Sequence, residues 1–210
     1  IADAQITTAK LSTAVLTGAT DIGADIADAD LFLVDDGAGG TLRKTAASRL
    51  KTYVGGGITE ADMHRLTAEF SGNVNGISSN WERVDDASFA KIGTGITNNS
   101  GTWSFGATGL YQLIWHTSFN KNADIRYVYN HLNVTVNNSS YVEIAIGWGN
   151  LLGNTLGGTA YHSVEASTFI NVDNVSNVKF KLGVNSLGGA ATTMGATANS
   201  YTWVQTIRLG

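Results

Sequence analysis

Two acidic pairs, Asp35-Asp36 and Asp85-Asp86, and four histidines, His64, His116, His131 and His162, are the side chains best suited to acid–base or metal chemistry. Neither acidic pair has the alternating oxygen spacing of a calcium loop, and acids side by side next to a turn read as solvated loop residues. The histidines show neither His-x-His nor HExxH spacing. His116 reads as a packing or locally hydrogen-bonded residue; a threefold axis could gather three copies of it around an ion, but nothing in the sequence requires one. Gly37 to Gly40 lack the Lys-Ser/Thr that phosphate cradling needs, and there is no Gly-x-Ser-x-Gly elbow. The chain has no Cys, which removes disulfides, thiolate ligands and a cysteine nucleophile together. No catalytic residue, metal or cofactor is expected, and the chain reads as a non-enzyme.

Aromatic side chains near Gly/Asn-rich loops are the remaining signal. Trp148 stands between Gly147 and Gly149, and Tyr161-His162 follows Gly157-Gly158. Rings of this kind stack on the apolar faces of sugars at little entropic cost, so Trp148, Tyr161 and His162 are the expected binding residues. The competing expectation is that they are core residues at strand ends. Asn-x-Ser/Thr triplets at Asn98, Asn133, Asn137, Asn138 and Asn174 read as turn chemistry.

Composition bounds what could carry such a site. Only 14% of the 210 residues are charged, with Gly, Ala, Asn, Thr and Ser in their place, against about 25% in an average domain. Low charge suggests a surface covered by further copies of the chain. A net charge of −4 and no basic stripe give no footprint for nucleic acid. No apolar run is long enough for membrane insertion. Proline is absent, which suits extensive strand pairing. The first residue is Ile1, so the chain reads as processed or as a fragment, with an N-terminal anchor expected elsewhere.

Three segments are expected. Residues 1–57 form a thin stalk. In it Leu31 to Val34 and Thr41 to Lys44 pair as a hairpin, and a helix capped by Thr45 buries Ala46, Ala47, Leu50 and Val54. Residues 58–69 form a short helical neck, with Thr59 as N-cap, Glu60 and Asp62 in its first turn and Met63, Leu66 and Phe70 as a coiled-coil seam. Residues 70–210 form an all-β head. Its expected strands are Trp81–Val84, Thr102–Phe105, Leu110–Phe119, Tyr127–Val136, Val142–Trp148, Ser163–Val172, Val178–Val184 and Tyr201–Leu209, at a spacing that fits a sandwich, jelly roll or barrel.

Gly109-Leu110-Tyr111-Gln112-Leu113-Ile114-Trp115 resembles the Gly-aliphatic-Tyr strand of tumour-necrosis-factor-like and complement-type globular heads. Thr102 to Phe105 precedes it as in that family, Val175 to Leu182 looks like a late strand, with Asn177 where the family has an acidic turn, and Tyr201 to Leu209 looks like the closing strand. The resemblance implies a ten-stranded jelly roll that assembles as a trimer. Asp28 to Asp36, Arg43 to Ala47 with Leu50-Lys51, and Ile6 to Leu11 are similar to segments of bacteriophage tail fibres, marine phages especially.

The strand pattern bears on assembly independently. Tyr111, Leu113, Trp115 and Phe119 alternate onto one face, which leaves Leu110 and Ile114 on a face that should be polar in a lone sandwich. Leu110, Ile114, Tyr201, Trp203, Met63 and Leu66 are therefore the expected trimer-interface residues. The expected function is a virion tail fibre whose trimeric head attaches to a host surface glycan or protein receptor, joined to other tail proteins through an N-terminal segment. The alternatives are a purely structural fibre or decoration protein and a secreted bacterial adhesin or signalling ligand of the same fold.

Overall fold

The computed structural model describes residues 22–35, 42–54 and 57–209. The chain divides into two compact units, Ile1–Gly56 and Gly57–Gly210. In the first, β1 (Leu31–Asp35) pairs antiparallel with β2 (Leu42–Ala46), from Leu31 opposite Ala46 to Asp35 opposite Leu42, and α1 (Ala47–Val54) follows directly. The hairpin and helix form as expected; the turn at 36–41 and the Ile6 to Leu11 segment lie outside the described residues. The cap differs. Thr45 is still in β2, and the free N–H groups of Ala47 and Ser48 donate to the carbonyls of Asp30 and Asp28 (2.8 and 3.2 Å). Backbone oxygens from the segment before β1 thus do the work expected of a hydroxyl. Leu31 and Leu33 leave one apolar side of the hairpin exposed.

The second unit is a two-sheet sandwich of β3 (Ala61–Leu66), β4 (Phe70–Ser71), β5 (Val74–Asn75), β6 (Trp81–Arg83), β7 (Thr97–Asn99), β8 (Thr102–Ser104), β9 (Gly109–Lys121), β10 (Asp124–Thr135), β11 (Val142–Leu152), β12 (Ala160–Val172), β13 (Lys179–Ser186), β14 (Thr192–Thr193) and β15 (Trp203–Arg208). A one-turn helix, α2 (Gly153–Leu156), joins β11 to β12. Sheet I is centred on β9, with β12 on one side and β15, β3 and β6 in turn on the other; β14 and β4 extend that second side at the far end of β9. Sheet II runs β11-β10-β13-β8-β7, with β5 also on β13. Among the long strands only β10 and β11 are consecutive neighbours in one sheet. The chain crosses between sheets after β9, β11, β12 and β13, which is jelly-roll connectivity.

Alternation makes this core. Tyr111, Leu113, Trp115 and Phe119 from β9 meet Trp103, Phe180, Leu182 and Leu132 between the sheets, all fully or almost fully buried. Polar groups stitch the layers where apolar packing alone would leave donors unmet. The Trp115 indole N–H donates to the Gly183 carbonyl at 3.1 Å, and the Asn130 amide donates to the Trp115 and Val164 carbonyls at 2.7 and 3.2 Å. At one edge the backbones themselves approach. A Cβ on Gly147 would lie 2.2 Å from the Glu165 carbonyl oxygen, so only glycine fits there.

The expected neck helix is absent. Residues 61–66 are strand β3, bonded on one side to β15 (Ala61 opposite Ile207 to Arg65 opposite Trp203) and on the other to β6. Its period is two: Asp62, His64 and Leu66 point into the sandwich, while Met63 is half-buried on the outer face. Two long-range ladders outweigh the local helix signals, which include no packing term for either neighbour. Leu66 is completely buried in the chain's own core and cannot serve an interface. Thr59 caps nothing; its hydroxyl accepts from the Arg208 guanidinium at 2.7 Å.

Candidate interaction surfaces

The acidic residues of the expected neck are structural acceptors. Glu60 takes the N–H groups of Thr94 and Gly95 (3.0 and 2.7 Å), and Asp62 takes those of Met63 and Ile96 (both 2.9 Å). Asp62, whose side chain is wholly shielded, also receives Arg83 through Nε and Nη2 at 2.9 and 3.0 Å. Consecutive backbone N–H groups in the 94–96 segment thus wrap carboxylates of the same chain, a concavity built for anions. Asp85 and Asp86 are not idle loop acids either. With Glu82 they surround the buried guanidinium of Arg65, Glu82 at 2.7 Å and Asp86 at 3.0 Å. These contacts raise the Arg65 pKa, its hydrogen bond to Glu82 first. The pairs fasten the 81–96 segment over sheet I, and among the described residues no cluster of His, Asp and Glu could hold a metal ion.

Three histidines are held neutral. Burial against Trp103 (ring centroids 5.1 Å apart) pushes His64 down to about 4, although Asp62 pulls the other way from 3.8 Å. Burial also lowers His116, stacked on Trp203, against the pull of Glu165, and His131 against that of Glu143 at 3.1 Å. Each is protonated more readily in the unfolded chain, near pH 6.5, than in the fold. The unfolded state therefore binds more protons as pH falls, and stability is full above about pH 6.5 and declines towards about pH 4. Thermal unfolding midpoints should follow that decline, and His64→Gln should flatten it; a midpoint constant over this range would contradict the assignment.

The outer face of sheet I gathers most of the expected interface residues. In register, Gln112 lies between Phe169 and Ile207, Ile114 between Ser167 and Gln205, and His116 between Glu165 and Trp203; Gln205 in turn neighbours Met63. Leu110 and Phe169 are exposed, whereas Ile114, Met63, Trp203 and Ile207 are half-buried. Tyr201 is exposed just before β15. A solvent-facing sheet surface is normally polar, and here Leu110, Ile114, Phe169, Ile207 and Trp203 stand among Gln112, Ser167, Gln205 and Glu165.

The expected binding residues do not converge. Trp148 is 61% exposed on the outer face of sheet II, and Tyr161 is 67% exposed on the outer face of sheet I, on the opposite side of the sandwich. His162 points inward between them and packs against the Gly149 backbone. The companions of Trp148 are Tyr127 and Tyr129, with ring centroids at 5.9 and 4.4 Å, and His131 lies 5.6 Å beyond Tyr129. Sequence reasoning weighed His131 only with the other histidines and did not group these three, although their i, i+2, i+4 spacing on one strand marks a common face.

Comparison with known proteins places the fold. No family model and no curated protein matches the sequence. Solved structures do match, and they show that the second unit has a fold similar to the tumour-necrosis-factor-like jelly roll. Murine APRIL at pH 5.0 superposes with a TM-score of 0.51 at 10% identity, over 71% of this chain and 99% of that one. Eiger TNF from S. frugiperda gives 0.51 at 11% identity, over 73% and 94%. At such identities the likeness is one of fold. Among the described residues no helix is long and apolar enough to cross a membrane.

Proposed function

We propose that the chain is a homotrimeric attachment protein of a virion tail fibre, with residues 1–57 as stalk and the jelly-roll unit as the head that binds a host-cell surface structure. The observation that carries the proposal is the apolar outer face of sheet I, where Leu110, Ile114, Phe169, Ile207 and Trp203 share one surface. Apolar side chains on the outer side of a closed two-layer core need a further cover, and copies of the chain related by closed symmetry provide one. The bare Leu31–Leu33 side of the stalk hairpin supports the same self-association. The resemblance of 28–51 to phage fibre segments supports the virion setting.

Fluorescently labelled full-length chain should bind saturably to cells of particular strains in a bacterial panel, with unlabelled chain competing. A trimer that binds no strain would instead favour a structural cap that only holds three stalks in register.

A further inference from the structure

We propose that the outer face of sheet II is a saccharide-binding platform built from Trp148, Tyr129, Tyr127 and His131, a site that gives the attachment function its ligand class and rests on that reading of the head. Trp148, Tyr129 and Tyr127 form one contiguous surface, and the buried His131 ring supports it at one end. Tyr127, Tyr129 and His131 follow one another along β10 at 6.2 and 5.6 Å, and Trp148 of β11 lies beside Tyr129 at 4.4 Å. The His131 end of the cluster is held in place before any ligand arrives. His131 is buried and fixed by Asn133 at 2.8 Å and Glu143 at 3.1 Å, and it lies so close over Gly183 that a Cβ there would fall 2.1 Å from its Nε2. Tyr129 has Asn185 of β13 as its cross-strand neighbour on the same face. Rigid rings with this support present their faces at low entropic cost.

Beside the rings runs a groove lined by Asn73, Val74, Asn75, Tyr129, His131, Val184 and Asn185. The carbonyl oxygen of the Asn73 side chain accepts from the Ser186 N–H at 2.9 Å, and that of Asn75 accepts from Asn133 at 3.2 Å. This leaves the NH₂ ends of two exposed amides as donors. The charges nearby are few: Glu143, 3.1 Å from the His131 Nδ1 at the edge of the face, and Lys181, which lies over the Tyr141 ring, 4.3 Å from its centroid. Ring faces bordered by neutral donors and acceptors match a sugar, whose C–H faces are apolar and whose rim is hydroxyl. Ile146 extends the apolar strip along β11, but an apolar protein surface laid over the whole face would strand the groove amides without partners.

The test is an array of immobilised neutral and acidic oligosaccharides probed with the full chain, followed by titration of any hit in solution. Binding should be found, should weaken at least about tenfold in Trp148→Ala, and should largely return in Trp148→Phe. It should be unchanged in Tyr161→Ala, on the opposite face, and Trp148→Ala should sediment as the unmodified protein does. The proposal is overturned by an array without binding, by binding indifferent to Trp148→Ala, or by loss of the oligomer in Trp148→Ala, which would make the ring an interface residue. Cell attachment that survives Trp148→Ala would also overturn the platform while leaving the attachment function standing. Array binding without attachment to any cell would do the reverse.

Discussion

Asp62→Ala is expected to cost the jelly-roll unit a substantial part of its stability. The carboxylate is wholly shielded from solvent and accepts four hydrogen bonds, two from Arg83 and one each from the N–H groups of Met63 and Ile96. Alanine leaves the guanidinium without its partner and a buried N–H without an acceptor. Breaking one side of a fully buried ion pair costs about 3–5 kcal/mol. Arg83 keeps 38% of its side chain in water, so the loss should fall at the lower end of that range, against a total of about 5–15 kcal/mol for a typical domain. Asp62→Asn should recover little of this, because its NH₂ group faces Arg83 in either orientation, together with the N–H of Met63 or of Ile96, donor against donor. Urea unfolding of the three proteins gives the comparison. A loss below about 1 kcal/mol in Asp62→Ala would mean that the 94–96 segment does not depend on this carboxylate.

Ile114→Asp is expected to dissociate the proposed homotrimer while leaving each chain folded. Ile114 sits between Ser167 and Gln205 on the outer face of sheet I, so the change leaves the sandwich core intact. A carboxylate buried there without a partner should weaken association by about 2–4 kcal/mol, the range of an interface hot spot. Gln112→Asp tests the same face two residues away, where the side chain is already polar, and should weaken association much less. Equal effects of the two substitutions would contradict the placement of Ile114 near the centre of the interface.

Where strands alternate large apolar with small or polar residues, the sequence was enough to place them. The Tyr111, Leu113, Trp115 and Phe119 set of β9 faces the core as its spacing implies, and the eight expected head strands all form. β3 was hidden because its inward positions include Asp62 and His64, which look like surface residues until Arg83 and Trp103 are seen beside them. The partners of Arg65 were obscure for the same reason: the acids that surround it lie 17 to 21 positions away, on elements whose proximity only the fold decides. The aromatic signal was legible in part. Trp148 was found from its glycine neighbours, but its grouping with Tyr127 and Tyr129, and its separation from Tyr161, follow from which sheet each strand joins. Local spacing does not carry that information, because strand pairing is set by packing across the sheet.

Sedimentation velocity of the unmodified full-length chain at micromolar concentration tests the central claim most directly. One species at three times the 22.1 kDa chain mass is expected, because the apolar outer face of sheet I needs copies of the chain to cover it. A well-behaved monomer at that concentration would contradict the account.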